Sequence, residues 1–265
     1  MFTKKSISMI AFLLIIIGVV GSVLTFEKPA SKSDWVTAER TIGDEHIENI
    51  QITADHTNIE VISVPDASVK LEMSGMDPEN DLSASVDGTT LSIQVEHRKN
   101  SLFQFDLLAS VSSLKVYVPE KAYDLLQIES DNGRIIGENL QANTLDVNTD
   151  NGLIELRHMN TSTTVAKTDN GKIILEYIEG DIRAETDNGA ISLITSHLDR
   201  EIELHTDIGM IEIKTDQKPT NAVINANVEV GKLRVFGESS ANTVFGNGDH
   251  SIRLSTDVGT INVTK

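Results

Sequence analysis

Cysteine is absent from the 265 residues. That excludes disulfides, thiolate zinc sites and acylation of a lipoprotein-type cysteine. Aromatic residues make up 4% of the chain, with a single Trp, while hydrophobic residues reach 39%. Such a chain can fill a narrow core of Ile, Leu and Val but has few large anchors. Positive charge is scarce: 22 Lys and Arg face 40 Asp and Glu, for a net charge of -18. Lys4, Lys5, Lys28 and Lys32 against Glu27 and Asp34 put residues 1–34 at +2, so residues 35–265 carry -20. So acidic a region is soluble and self-repelling, and it is a poor partner for nucleic acid or anionic lipid.

Motifs that carry chemistry are also missing. There is no Gly-x-Ser-x-Gly elbow, no phosphate loop, no EF-hand loop and no Gly-Gly-x-Gly-x-Asp repeat. The seven histidines never stand at His-x-x-x-His spacing. The sequence therefore offers no catalytic residue, no cofactor-binding residue and no metal ligand set, and no cofactor is expected.

One long apolar run is present. Lys4 and Lys5 precede Ile7–Phe26. At 1.5 Å per residue, about 20 residues span a hydrocarbon core of roughly 30 Å. The basic flank favours a cytoplasmic N-terminus with the rest outside. Val23-Leu24-Thr25-Phe26 offers no Ala-x-Ala cleavage site, so the expectation is an uncleaved transmembrane helix rather than a signal peptide. This gives a tip and anchor over 1–26, a polar linker over 27–40 and a single-pass protein of the cell membrane with an extracytoplasmic C-terminal domain.

The domain itself is repetitive. Asp-Asn-Gly recurs at 131–133, 150–152, 169–171 and 187–189, and degrades to Asp207-Ile208-Gly209, Glu229-Val230-Gly231 and Asp257-Val258-Gly259. The glycines are 19, 19, 18, 20, 22 and 28 residues apart. A period near 20 marks a repeat architecture. Two residues after each glycine stands Ile135, Ile154, Ile173, Ile191, Ile211, Leu233 or Ile261. Three before it stands Ser130, Thr149, Thr168, Thr186, Thr206, Val228 or Thr256. Alternation on both sides of the turn reads as two strands per repeat. The third position after the glycine is mixed, as on a face open to water.

A type I′ hairpin at Asn-Gly needs positive φ at both central residues. Ile208, Val230 and Val258 resist that conformation. Only the glycine need be left-handed, which favours solenoid corners with parallel stacking. In that geometry Asp131, Asp150, Asp169, Asp187, Asp207 and Asp257 each cap their own turn as an Asx turn. The four asparagines stack as an amide ladder. The same Asp column could instead be a calcium ladder.

The expected fold is an all-β parallel β-solenoid of 19–20-residue coils over 41–265, preceded by one transmembrane helix. Coils are irregular over 41–118, where alternating runs flank turns such as Asp87-Gly88-Thr89, and regular over 119–265. Lys99–Ser113 breaks the pattern and reads as a loop or cap. About 11 coils at ~4.8 Å give a rod of roughly 50 Å. The chain ends within a strand, Ile261–Lys265, so the open last coil is expected to self-associate or to be covered by a partner.

Leu114-Lys115-Val116-Tyr117-Val118-Pro119, then Tyr123 and Ile128-Glu129-Ser130-Asp131-Asn132-Gly133, then the Thr-Asp-Asn-Gly repeats, resemble a family of bacterial β-strand-repeat adhesin-type proteins that includes the LiaG-like proteins of Gram-positive bacteria. The resemblance covers residues 45–265, and the anchor fits the LiaG type. It implies a membrane-tethered extracytoplasmic β-solenoid with a role in the cell envelope and its stress response, and it brings no catalytic motif. The functional expectation is a structural or binding module of the envelope, or an adhesin, and not an enzyme. Its partner would be an envelope protein or a basic peptide. A polysaccharide-acting β-helix enzyme and a calcium-dependent adhesin are the alternatives.

Overall fold

The structure is a computed structural model that describes residues 36–43, 46–75, 78–96 and 112–265. The expected anchor over 1–26, most of the linker and most of Lys99–Ser113 lie outside the described residues. Among the described residues no helix is long and apolar enough to cross a membrane. Val36–Lys265 forms one compact unit. Its described residues are all-β apart from a single helical turn, α1 (Pro78–Asp81).

Each Asp-Asn-Gly phrase lies inside one long strand, not between two. β7 (Ala122–Glu138), β8 (Gln141–Arg157), β9 (Asn160–Glu176), β10 (Asp181–Thr195) and β11 (Ile202–Thr215) pair in parallel, in order. Register locks like to like: Gly133 faces Gly152, then Gly171, Gly189 and Gly209. At the phrase itself the aspartate is skipped. Ser130 pairs with Thr149 and Asn132 with Asn151, leaving Asp131 and Asp150 outside the ladder. The chain bends there, so every coil has a first arm before the bend and a second arm after it. This is the solenoid corner that the β-branched Ile208 and Val258 demand.

Alternate residues of both arms point into one core. Leu145, Val147, Ile154 and Leu156 of β8 are fully buried, as are Ile191, Leu193, Leu204, Ile211 and Ile213 above them. Each aliphatic side chain removed from water contributes about 1.5–3 kcal/mol, so a stack of identical rows supplies most of the stability. A second corner returns the chain to the next coil through one left-handed residue: Asn139 (φ 57°), His158 (φ 53°) or Tyr177 (φ 54°). The buried residues after it, Leu140, Met159 and Ile178, close the end of the core.

The N-terminal part departs from the expected irregular coils. β2 (Asn49–Val64) is a bent coil and stacks on β7, with His56 facing Asn132. Beyond it the two arms part company. The first arm pairs with β5 (Thr90–Val95), which continues antiparallel into β4 (Leu82–Asp87) through a turn at Gly88, φ 59°. The second arm pairs with β6 (Ser112–Pro119), followed antiparallel by β3 (Ser68–Gly75) and β1 (Val36–Gly43). Runs of six to eight residues between tight turns cannot complete a coil of about 20, so they fold back on themselves. β1 also begins inside the stretch expected to be linker.

The C-terminal part departs too. β12 (Ala222–Val235), the short β13 (Asn242–Val244) and β14 (His250–Thr264) stand in the order β11, β14, β12, β13. Gly209 faces Gly259, which faces Gly231. The last strand is thus paired on both sides, and the expected open C-terminal coil is not an edge. The chain steps over one layer after β11, builds β12, and returns to fill the gap. Asp199 fastens the step: its carboxylate accepts from the Thr220 and Asn221 N–H groups at 2.9 Å and the Thr220 hydroxyl at 2.7 Å. Eight strands share the bend: β2, β7, β8, β9, β10, β11, β14 and β12. The edge of the stack is β12.

Candidate binding surface along the bend

The bend is built from the glycine outward. A Cβ on Gly152 would stand 1.8 Å from the carbonyl oxygen of Gly133, and one on Gly171 would stand 1.9 Å from that of Gly152. The backbone of one coil presses on the next, and no side chain fits between. Beneath the glycines runs a row of small hydroxyl residues, Ser130, Thr149, Thr168, Thr186, Thr206 and Thr256, all buried. Beside them the amide ladder forms as expected. Asn151 Nδ2 donates to Asn132 Oδ1 at 3.1 Å, Asn170 to Asn151 at 3.2 Å, and Asn188 to Asn170 at 3.2 Å. His56 Nδ1 lies 2.9 Å from Asn132 Nδ2 at the start of the ladder.

The aspartates stand outside this framework. Asp131, Asp150, Asp169, Asp187, Asp207, Asp257 and Glu229 are exposed, and Asp55 of β2, half-buried, occupies the same place beside His56. In stacking order they form one file of eight acids, a layer apart, about 4.8 Å each. Among the described residues, only Asp207 has a side-chain partner, His205 Nε2 at 2.9 Å. The expected Asx turns are absent, because no carboxylate of the file bonds the backbone of its own turn. The parallel ladder already engages the peptide groups around the bend, so the carboxylates turn to solvent. Sequence reading placed six of the eight in the column. Glu229 is legible from its phrase, but Asp55 lacks a following glycine, and only the β2–β7 register reveals it.

The file lies between two faces of different character. On the second arm Glu155 is buried, contrary to the water-facing position expected for its row, and it is flanked by Arg134 at 3.2 Å and by Arg157. Arg157 in turn reaches Glu176 at 3.2 Å. On the first arm Asp146 is half-buried; burial first, then the Glu129 carboxylate, pushes its pKa above the usual range. Further along, Arg183 bridges Glu203 at 3.5 Å. Two adjoining shallow depressions, about 150 and 400 Å³, share Glu203 and Arg253. Ser255 lines the larger one, and its hydroxyl lies 2.8 Å from His205 Nδ1, while His205 Nε2 meets Asp207 at 2.9 Å. Among the described residues no three His, Asp or Glu side chains converge as cation ligands. The file is a line of carboxylates and not a chelating cage.

The stacking geometry has a counterpart in known proteins. The Toastrack DUF4097 profile matches residues 47–159 and again 127–264. The chain belongs to the Toastrack family. The two matches overlap across the first regular coils, as expected if one coil pattern repeats throughout the domain. None of the curated proteins matches this Toastrack chain in sequence. Among solved structures, a candidate lipid-binding protein from Parabacteroides distasonis aligns at 16% identity and TM-score 0.50, covering 88% of this chain and 98% of that one. A candidate adhesin from Bacteroides fragilis aligns at 13% identity and TM-score 0.47 (86% and 97% covered). A candidate cell-adhesion protein from Clostridium sporogenes aligns at 14% and TM-score 0.41 (87% and 99%). At 16% identity the likeness to the first of these speaks for the fold alone.

Proposed function

We propose that this Toastrack chain is a non-enzymatic binding module of the adhesin type, tethered to the membrane by its N-terminal apolar segment and displayed outside the cell. The LiaG-like resemblance and the run Ile7–Phe26 behind Lys4 and Lys5 support the tether and a role in envelope stress. The observation that carries the binding assignment is the file of eight acids. Like charges ~4.8 Å apart repel, and a fold gains nothing from lining them up with Asp207 alone partnered among the described residues. They lie within one Debye length of each other, about 8 Å at physiological salt, so they act together as a line of negative charge. Such a line complements an extended cationic partner, a basic peptide or a basic segment of an envelope protein.

The test is binding of an oligolysine peptide to the full chain, followed across ionic strength. Affinity is expected to fall at least tenfold between 50 and about 300 mM salt. Binding indifferent to salt would refute the electrostatic reading. A rise of many degrees in melting temperature with millimolar calcium would reassign the file to a metal.

A further inference from the structure

The rib changes chemistry along its length. In the inner coils the residue just after the aspartate is polar: His56, Asn132, Asn151, Asn170 and Asn188, joined by the amide ladder. In the last three layers of the bend, β11, β14 and β12, register puts Ile208, Val258 and Val230 in that same column. They are 55%, 47% and 63% exposed, and Met210, two residues beyond Ile208, is 46% exposed. A single exposed aliphatic residue needs no explanation, but three in file on adjacent strands form a continuous apolar stripe. The corner does not demand them, since asparagine occupies it in four other coils. The stripe runs directly beside acids, because Asp207, Asp257 and Glu229 precede its three residues in the chain.

Charge decides what the stripe takes. A second copy would bring its own row of carboxylates against these, from a region of net charge -20, and an anionic lipid surface is repelled in the same way. We infer that the stripe and the acid file are two parts of one docking surface, whose occupant is a cationic segment ending in an apolar block. Its basic residues lie over Asp131, Asp150, Asp169 and Asp187, and its apolar block lies over Ile208, Val258 and Val230. This rests on the file being the binding surface proposed above, and it adds the partner's sequence pattern and its direction along the rib. The four acidic layers span about 14 Å and the three apolar layers about 10 Å at ~4.8 Å each. An extended chain at about 3.3 Å per residue matches them with about five basic and about four apolar residues.

The experiment measures peptide affinity for the full chain held in phosphatidylcholine nanodiscs, with empty nanodiscs subtracted. Five lysines followed by four leucines are expected to bind about tenfold more tightly than five lysines followed by four serines. The variant I208N/V258N/V230N writes the inner-coil asparagine into the last three layers. It is expected to melt like wild type, to hold the serine-tailed peptide unchanged and to lose the preference for leucine. A photoreactive leucine at the tail is expected to cross-link to β11, β14 or β12. Equal affinity for the two tails, a preference that survives in the asparagine variant, or cross-links to β7 or β8 would overturn the inference while salt-dependent binding of basic peptide stands. So would a dimeric wild type in sedimentation that the asparagine variant turns monomeric, which would give the stripe to a second copy. Failure of both peptides to bind would overturn the inference and the proposed function together, so the two failures are distinct. The tail comparison and the cross-link are read on wild type and hold whatever the variant's stability.

Discussion

At Gly171 the layers touch so closely that one methyl group decides the matter. Its Cβ would lie 1.9 Å from a carbonyl oxygen that belongs to the ladder and cannot swing away. Gly171→Ala is expected to cost about 3 kcal/mol or more, the upper end of what overpacking against neighbouring atoms costs. Gly43→Ala, where nothing lies within 4 Å, should stay within about 0.5 kcal/mol. Equilibrium urea unfolding of the pair measures the contrast. Arg200 is the other residue to which the fold is sensitive. Regular corners pass a backbone N–H to the coil beneath: Asn160 to Leu140, Glu179 to Met159. The longer corner before β11 lacks that group, and the buried Arg200 guanidinium donates to Ile178 O instead, and to Thr195 Oγ1 at 2.8 Å. Arg200→Met should cost about 2–3 kcal/mol by leaving the carbonyl unsatisfied. The glycine and asparagine columns were legible because identical neighbours repeat in sequence. Arg200 was not, since one arginine in a loop carries no pattern. The aspartates were legible as a column but not in role, because their freedom follows from a ladder that sequence spacing does not display.

Among the elements, the parallel coils follow from the 19-residue period, and the N-terminal flaps do not. β3, β4 and β5 alternate like coil arms, and alternation is silent about pairing direction. The insertion of β14 between β11 and β12 is likewise invisible, although the spacings of 22 and 28 residues record the detour. The detour hangs on Asp199. Burial pushes its pKa up, but the Asn221 N–H and the Thr220 hydroxyl and N–H outweigh this and hold it below the ordinary 3.8. A depressed carboxylate stabilises the fold at pH values above the unfolded pKa, and that contribution is lost as pH falls through the folded pKa. Melting temperature should therefore drop more steeply below about pH 5 in wild type than in Asp199→Asn, with the two curves converging in acid. Parallel slopes would detach Asp199 from the connection. At Asp146 the sign is opposite, since burial and Glu129 raise its pKa, so Asp146→Asn should melt higher at pH 7.

On the scale of the whole molecule, stacking turns a repeated phrase into a continuous feature. A net charge of -18 read from composition says little about place. Register gathers eight of the acids onto one rib while ion pairs occupy the faces at either side. The most direct measurement is a comparison of wild type with the quadruple variant Asp131→Asn, Asp150→Asn, Asp169→Asn, Asp187→Asn, in both oligolysine affinity and melting temperature. The rib being a binding surface, affinity should fall at least tenfold while the melting temperature holds or rises, because these carboxylates bond nothing in the fold and repel one another. Unchanged affinity, or a collapse in melting temperature showing that the aspartates hold their own turns, would contradict it.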